Sequence, residues 1–161
     1  MKNYTSSVSP DRTIAQIEVL LIKAGARSIS KEYDKGEIVA VNFTILCPET
    51  KAPLGVRLPA DAEAVFQVFK KQRTSRSRWN SGWEEKLRDQ AKRTAWRLTY
   101  DWVAVQLSMI EMRQAELLQV FLPYLWAGKT TFYESLKQDR FKALSYNGEP
   151  SEEIESDAEL V

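Results

Sequence analysis

The chain has 161 residues, of which 43% are hydrophobic and 28% are charged, and its formal net charge is +1. This length predicts one domain with a packed core, and the near-zero net charge excludes a strong overall attraction to polyanions. The chain has no histidine, which excludes the commonest general base. Its single cysteine, Cys47, excludes an internal disulfide and a cysteine-rich zinc site, and it favours a cytoplasmic location.

The first predicted element is an amphipathic helix over residues 10–24. Ser9 and Pro10 match the N-cap and first-turn preferences of helices, and Gly25 matches a stop signal. The apolar residues between these signals are Ile14, Ile17, Leu20, Leu21 and Ala24. Their helical spacing predicts a stripe that is buried against the rest of the domain.

Three strands are predicted next. Residues 27–33 and 37–46 flank the turn sequence Asp34-Lys35-Gly36, which predicts a β-hairpin. One face of its second strand would carry the apolar residues Val39, Val41, Phe43 and Ile45. A third, shorter strand is predicted over residues 52–58, so the sheet would be small and antiparallel.

A second helix is predicted over residues 59–72, with an apolar stripe made of Ala62, Val65, Phe66 and Phe69. The order of helix, three strands and helix predicts an α+β fold. In the expected packing both helices lie on one face of the sheet and bury their stripes together.

One long helix is predicted from Trp83 to Leu122, because this stretch contains neither proline nor glycine and Pro123 follows it. A short helix is predicted from Thr130 to about Gln138. The expected organisation is therefore an α-β-β-β-α unit over residues 1–72, a basic flexible loop over 73–82, both later helices within 83–146 on the same domain, and a disordered acidic tail over 147–161.

The basic middle of the chain is the main candidate site. Its cations and tryptophans are Arg73, Arg76, Arg78, Trp79, Trp83, Lys86, Arg93 and Arg97. Clustered cations suit a phosphate backbone, because they release its counterions, and tryptophans stack on unpaired bases. The stretch therefore predicts nucleic-acid binding, with DNA favoured over RNA. The alternative is a solvated helix face whose tryptophans belong to the core.

Catalytic and cofactor sites have weaker support. Ala127-Gly128-Lys129-Thr130-Thr131 matches the end of a phosphate-binding P-loop, but Pro123 stands where the motif requires its first glycine. A glycine turn with Thr130 or Thr131 as a helix cap is the alternative. Glu84, Glu85 and Asp89 could hold magnesium in a nuclease, yet carboxylates are favoured at a helix start in any case. We therefore expect no cofactor, no metal and no enzymatic activity.

The second half of the predicted long helix is apolar around much of its circumference. Residues from Trp102 to Leu122 would exceed what one small domain can cover. This pattern predicts either packing across the α-β-β-β-α unit, or contact with another copy or a protein partner. An adaptor or an inhibitor of a host system is the function that this alternative would imply.

Four segments carry a family resemblance: Ile-Lys-Ala-Gly-Ala at the end of the first helix, Glu-Tyr-Asp-Lys-Gly in the hairpin, Gln-Ala-Lys-Arg-Thr-Ala-Trp-Arg with Asp101-Trp102, and Phe121-Leu122-Pro123-Tyr124. Together they resemble a small-protein family of bacteriophages, prophages and other mobile elements, over residues 1 to about 140. The resemblance implies a replication or recombination context and no particular activity. We therefore expect a non-enzymatic nucleic-acid-binding accessory protein.

The predicted α-β-β-β-α order is also that of a double-stranded-RNA-binding domain. That domain carries its basic cluster at the start of the second helix, whereas this chain has Ala60-Asp61-Ala62-Glu63 there. The acidic start argues against a double-stranded-RNA module.

Overall fold

The structure, a computed structural model, describes residues 6–72, 82–126 and 128–144. Its main elements in chain order are helix α1 (Pro10–Lys23), strands β1 (Ser28–Asp34), β2 (Glu37–Leu46) and β3 (Pro53–Pro59), and helices α2 (Ala62–Gln72), α3 (Trp83–Glu111), α4 (Leu117–Phe121) and α5 (Phe132–Gln138). Short 3₁₀ turns occupy Leu122–Tyr124 and Lys142–Leu144. The predicted α+β class is confirmed, and the predicted acidic tail lies outside the described residues.

The helix ends follow local sequence signals. The Ser9 hydroxyl accepts the N–H of Arg12, and Pro10 occupies the first turn of α1, as the sequence predicts. The Asp61 carboxylate caps α2 by accepting the N–H of Ala64 at 2.8 Å. Such caps satisfy N–H groups that have no partner within the helix.

The sheet is antiparallel in the order β1-β2-β3. Val41, Phe43 and Ile45 of β2 alternate onto its inner face and are buried, as the alternation predicts. Val39, predicted on the same face, is only half-buried, because the pairing with β1 shifts register at that point. The opposite, outer face is polar, with Asn42 of β2 between Ser30 of β1 and Arg57 of β3. The sheet thus has one face in the core and one face toward solvent.

The main core lies between the inner face of the sheet and helices α1, α3 and α4. Its buried residues are Ile14, Ile17, Leu21, Val41, Phe43, Ile45, Val56, Leu58, Trp96, Val103 and Phe121. Phe121 is fully buried and meets the rings of Phe43 and Trp102 edge-on, at centroid distances of 5.5 Å and 5.8 Å. Trp96 is buried in this core, and the half-buried Trp102 packs against it.

The stripe of α2 packs elsewhere. Phe66 and Phe69 form a second, smaller cluster with Leu87 and Ala91 of α3, and half-buried Val65 and Trp83 pack against it. The expectation that the stripes of α1 and α2 are buried together on the sheet is therefore wrong. Because α3 offers α2 an apolar face of its own, α2 pairs with α3 as a helical hairpin.

The predicted long helix starts at Trp83 as expected, but its predicted end at Leu122 is wrong, because α3 ends at Glu111. Arg113 adopts the left-handed conformation at φ 57°, and the N–H of Gln114 bonds to the carbonyl of Met109 at 2.8 Å. With the bond from Arg113 N–H to Ile110 O, these bonds form a Schellman motif that satisfies the last carbonyls of α3. The chain then turns, so that α4 returns to the core.

Candidate nucleic-acid interface

The α2–α3 helical hairpin is held by ion pairs along its length. Arg88 of α3 bonds to Glu63 in the first turn of α2 at 2.7 Å, and its guanidinium lies 3.9 Å from the ring centre of Phe66. Lys70, in the last turn of α2, lies 3.8 Å from Glu84 in the first turn of α3. The end of α2 and the start of α3 are therefore neighbours, and residues 73–81 connect them.

The surface formed by the last turn of α2 and the first turn of α3 is called the hairpin end. Lys71 and Lys86 are exposed on it, and neither forms an ion pair with another described residue. Lys70 is about half exposed and shares Glu84 with Arg88. These cations can accept an anion with little rearrangement of existing contacts.

Four predicted site residues lie within the described residues, and two of the three cations among them already bond to other groups of the fold. Arg93 donates through Nε to the carbonyl of Ser6 at 3.2 Å and through Nη2 to Gln90 at 2.8 Å. Arg97 pairs with Asp101 at 3.3 Å. Both arginines are partly buried and already engaged within the fold, whereas Lys86 is exposed.

Trp83 is the fourth predicted site residue that the structure describes. It is half-buried and packs against the α2–α3 cluster. Its ring therefore contributes to the hairpin's core. The predicted residues Arg73, Arg76, Arg78 and Trp79 lie outside the described residues. Lys70 and Lys71 are the cations that the predicted site omitted, although their place in the last turn of the predicted second helix was a usable signal.

The carboxylates at the start of α3 take part in ion pairs. Glu84 meets Lys70 and Arg88, and Asp89 meets Lys92 at 3.7 Å. In the described ranges, no group of three or more histidine, cysteine, aspartate or glutamate side chains is arranged to hold a metal ion. These acids thus balance neighbouring cations and the dipole of α3.

Thr131, the last residue of the P-loop-like segment, is the N-cap of α5. The Thr131 hydroxyl accepts the N–H of Glu134 at 3.3 Å, and the Glu134 carboxylate accepts the N–H of Thr131 at 2.7 Å, which also lowers the pKa of Glu134. This capping box confirms the predicted cap at Thr131. Lys129, in the preceding turn, is exposed.

A cleft of about 810 Å³ lies where the tip of the β1–β2 hairpin faces the starts of α1 and α2. Its three cations are Arg57, Arg88 and Lys92, and each is paired with a glutamate. Six carboxylates also line it: Asp11, Asp34, Glu37, Asp61, Glu63 and Glu134. The negative excess makes this cleft a poor site for phosphate, in contrast to the hairpin end.

Comparison with known proteins adds no information on these residues. No protein-family model, curated protein or solved structure matches the chain. No helix in the described ranges has both the length and the apolar character needed to cross a bilayer.

Proposed function

We propose that the protein is a non-enzymatic nucleic-acid-binding protein that holds the phosphate backbone at the hairpin end. The observation that carries the proposal is the exposure of Lys71 and Lys86 without ion pairs among the described residues. They flank a connecting segment whose only charged residues are Arg73, Arg76 and Arg78.

Positive charge is concentrated in this part of the sequence. Residues 70–86 contain six basic side chains and two acidic ones, whereas the whole chain has a net charge of +1. A local cationic surface attracts a polyanion at short range even when the total charge is near zero, because salt screens the distant charges. Each phosphate contact then gains free energy from counterion release.

The roles within the site differ. Lys70, Lys71 and Lys86 stand at the described ends of the two helices and would contact phosphates. Arg93 and Arg97, which are engaged inside the fold, would add positive potential beside the contact surface. Trp79 is the proposed stacking residue, because packing in the hairpin's core occupies Trp83. An accessory role in a phage or mobile element, in replication or recombination, fits such general binding.

The test is an anisotropy titration of the full chain with single-stranded and double-stranded DNA and RNA, repeated from low to moderate salt. The Lys71→Ala/Lys86→Ala variant should bind more weakly. The negative slope of log K against log salt should become shallower by about 1–2 units. Adding Arg73→Ala/Arg76→Ala/Arg78→Ala to this double variant should remove most of the affinity that it retains.

The matched control is Lys23→Ala/Lys137→Ala, which removes the same charge from the exposed last turns of α1 and α5. This control should retain nearly all of the affinity and the full salt slope. Equal losses in both double variants would show that only total charge matters. Absence of binding by the wild-type chain at low salt would refute the proposal.

A second candidate function is supported by an exposed apolar face of α3. Val105 and Met109 on α3, and Met112 at its C-cap, are exposed by 54%, 38% and 65%, and their spacing of four and three residues puts them on one side of the helix. Such a face suits a protein partner or a second copy. Sedimentation of the wild type and of Val105→Ser/Met109→Ser tests self-association, which salt should hardly affect.

A further inference from the structure

The outer face of the sheet contains a small pocket beside Trp126. Its volume is about 230 Å³. The lining residues are Ser28, Ser30, Asn42, Phe43, Thr44, Gly55, Val56 and Trp126. The pocket is thus walled by three hydroxyl groups, a carboxamide and an indole ring, and none of the described residues that line it has a charged side chain.

The pocket exists because β3 has a glycine at the point where Trp126 crosses it. Gly55 pairs with Thr44 in the sheet, and its carbonyl accepts the N–H of Trp126 at 2.8 Å. A Cβ added at Gly55 would meet only Cβ of Trp126, at 3.7 Å, which is an ordinary contact. The missing side chain therefore leaves open space and relieves no strain.

Trp126 is fixed in place while 40% of it stays exposed. The guanidinium of Arg57 lies 5.5 Å from its ring centre, and the bidentate pair with Glu32 anchors Arg57. A half-exposed indole held by its backbone and by a neighbouring cation is a rigid stacking surface, because little rotamer entropy remains to be lost on binding.

The pocket wall offers hydrogen bonds without charge. Ser28 Oγ donates to Thr44 Oγ1 at 2.8 Å, and each hydroxyl keeps capacity for a further partner. The Ser30 hydroxyl is exposed and lies opposite Asn42 in the register of β1 and β2, whereas the Asn42 Oδ1 is buried, so the hydroxyl groups are the accessible hydrogen-bonding groups. The edge of a neutral, flat, polar ring satisfies such groups, and its face suits the indole.

A cation, Lys129, follows Trp126 by three positions in the sequence. Trp126 and Thr131 are bridged as an antiparallel pair, and Lys129 lies between them, exposed and without an ion pair in the described ranges. A stacking ring and an unengaged ammonium group therefore lie within four positions of each other in the sequence, next to the Trp126–Thr131 bridge, and a nucleotide unit needs both kinds of group.

We propose that this pocket binds one unpaired nucleobase of a single strand, with the adjoining phosphate at Lys129. The inference rests on the proposed function, because it names a second contact for the same ligand class. It adds a preference for single strands, since a base inside a duplex cannot reach a ring on the face of a sheet. The hairpin end alone has no such requirement.

The experiment uses the full chain with a short single-stranded oligonucleotide and with the matching duplex. Trp126→Ala and Gly55→Ala should each weaken single-strand binding, the first by tenfold or more, which is about the loss of one base–aromatic stack. Both should leave duplex binding unchanged. Trp126→Phe keeps an aromatic face and should recover most of the affinity.

A second measurement reports on the ring directly. The chain has five tryptophans, so incorporation of 5-fluorotryptophan yields five ¹⁹F resonances, and Trp126→Phe assigns the one of interest. The Trp126 resonance should shift when the single strand is added and stay in place when the duplex is added. A shift with free hexoses or an extended peptide, but not with the single strand, would overturn the assignment to a nucleobase.

The outcomes separate the two proposals. Unchanged single-strand binding by folded Trp126→Ala and Gly55→Ala overturns the base pocket, while the hairpin end stands if Lys71→Ala/Lys86→Ala still weakens both strand forms. Single-strand binding that needs Trp126 but not the hairpin lysines supports the pocket and refutes the hairpin end. Absence of binding to either strand form removes both.

Discussion

Arg57 and Glu32 form a two-bond ion pair across the outer face of the sheet, with Nε donating to Oε2 at 2.8 Å and Nη2 to Oε1 at 2.9 Å. The strands that carry them are the two edges, and β2 runs between them. Because Arg57 also lies against Trp126, the pair joins the sheet to the segment that leads into α5.

Arg57→Ala should lower the free energy of unfolding by about 1–3 kcal/mol, because two charge-assisted hydrogen bonds and the contact with Trp126 are lost together. Urea unfolding measures the change. The matched control is Lys92→Ala, whose pair with Glu37 is more exposed and should contribute at most about 1 kcal/mol. Equal losses would show that Arg57 contributes no more than a surface pair.

The same pair predicts an acid dependence of stability. The Arg57 guanidinium holds the pKa of Glu32 below its ordinary value of 4.5, and the capping box does the same for the pKa of Glu134. A depressed folded-state pKa stabilises the protein above the unfolded value, and this contribution is lost as pH falls below about 4.5 through the folded value. Arg57→Ala should therefore flatten the acid side of the profile, and a slope that stays as steep would contradict this account.

Glycine should be more stable than arginine at position 113, because the left-handed φ of 57° strains any residue that has a Cβ. Arg113→Gly is expected to raise the free energy of unfolding by about 0.5–1 kcal/mol after the larger chain entropy of glycine is included. Glu111→Gly, two residues earlier in the last turn of α3, should instead cost about 1 kcal/mol. Destabilisation by both substitutions would exclude strain at Arg113.

The break after α3 also shows which parts of the fold the sequence can predict. A Schellman motif usually has glycine at its left-handed position, and Arg113 occupies that position, so the sequence gives no sign of the break. The capping box of α4 starts at Glu116 and not at the usual serine or threonine, so it was not recognised either. The strands, α1 and the Thr131 cap were predicted because their signals are local. The packing partner of the α2 stripe was not predicted, because an apolar stripe shows that a helix face is buried but does not show which element buries it.

The candidate site also has one part that local sequence predicts and one part that depends on tertiary contacts. Local charge density identifies the hairpin end, but the engagement of Arg93 depends on Ser6, 87 residues away in sequence. Likewise Gly55 and Trp126 are 71 positions apart, and only the folded chain brings them together into a pocket. Long-range contacts of this kind are set by tertiary packing, which one sequence does not reveal.

The two separate cores predict two levels of stability. Phe69→Ala removes a buried ring from the small α2–α3 cluster, which should lower the local opening energy of α2 by about 3 kcal/mol. Hydrogen exchange should then show faster amides in α2, with the amides of β2 still protected. Equal loss of protection in β2 would indicate one cooperative core.

The acidic end of the sequence is expected to compete with nucleic acid for the hairpin end. Residues 149–161 carry six carboxylates and no basic side chain, so deleting them removes six negative charges and raises the formal net charge from +1 to +7. Binding should tighten at low salt, and the gain should fade as the screening length falls below about 10 Å.

A variant of full length with the six acids changed to glutamine or asparagine separates charge from chain length. It should bind as tightly as the deletion at low salt. The competition also requires the hairpin lysines, so in the Lys71→Ala/Lys86→Ala background the deletion should gain less than in the wild type. An unchanged affinity after deletion would exclude competition by the tail. A gain that is equally large in both backgrounds would assign the effect to total charge.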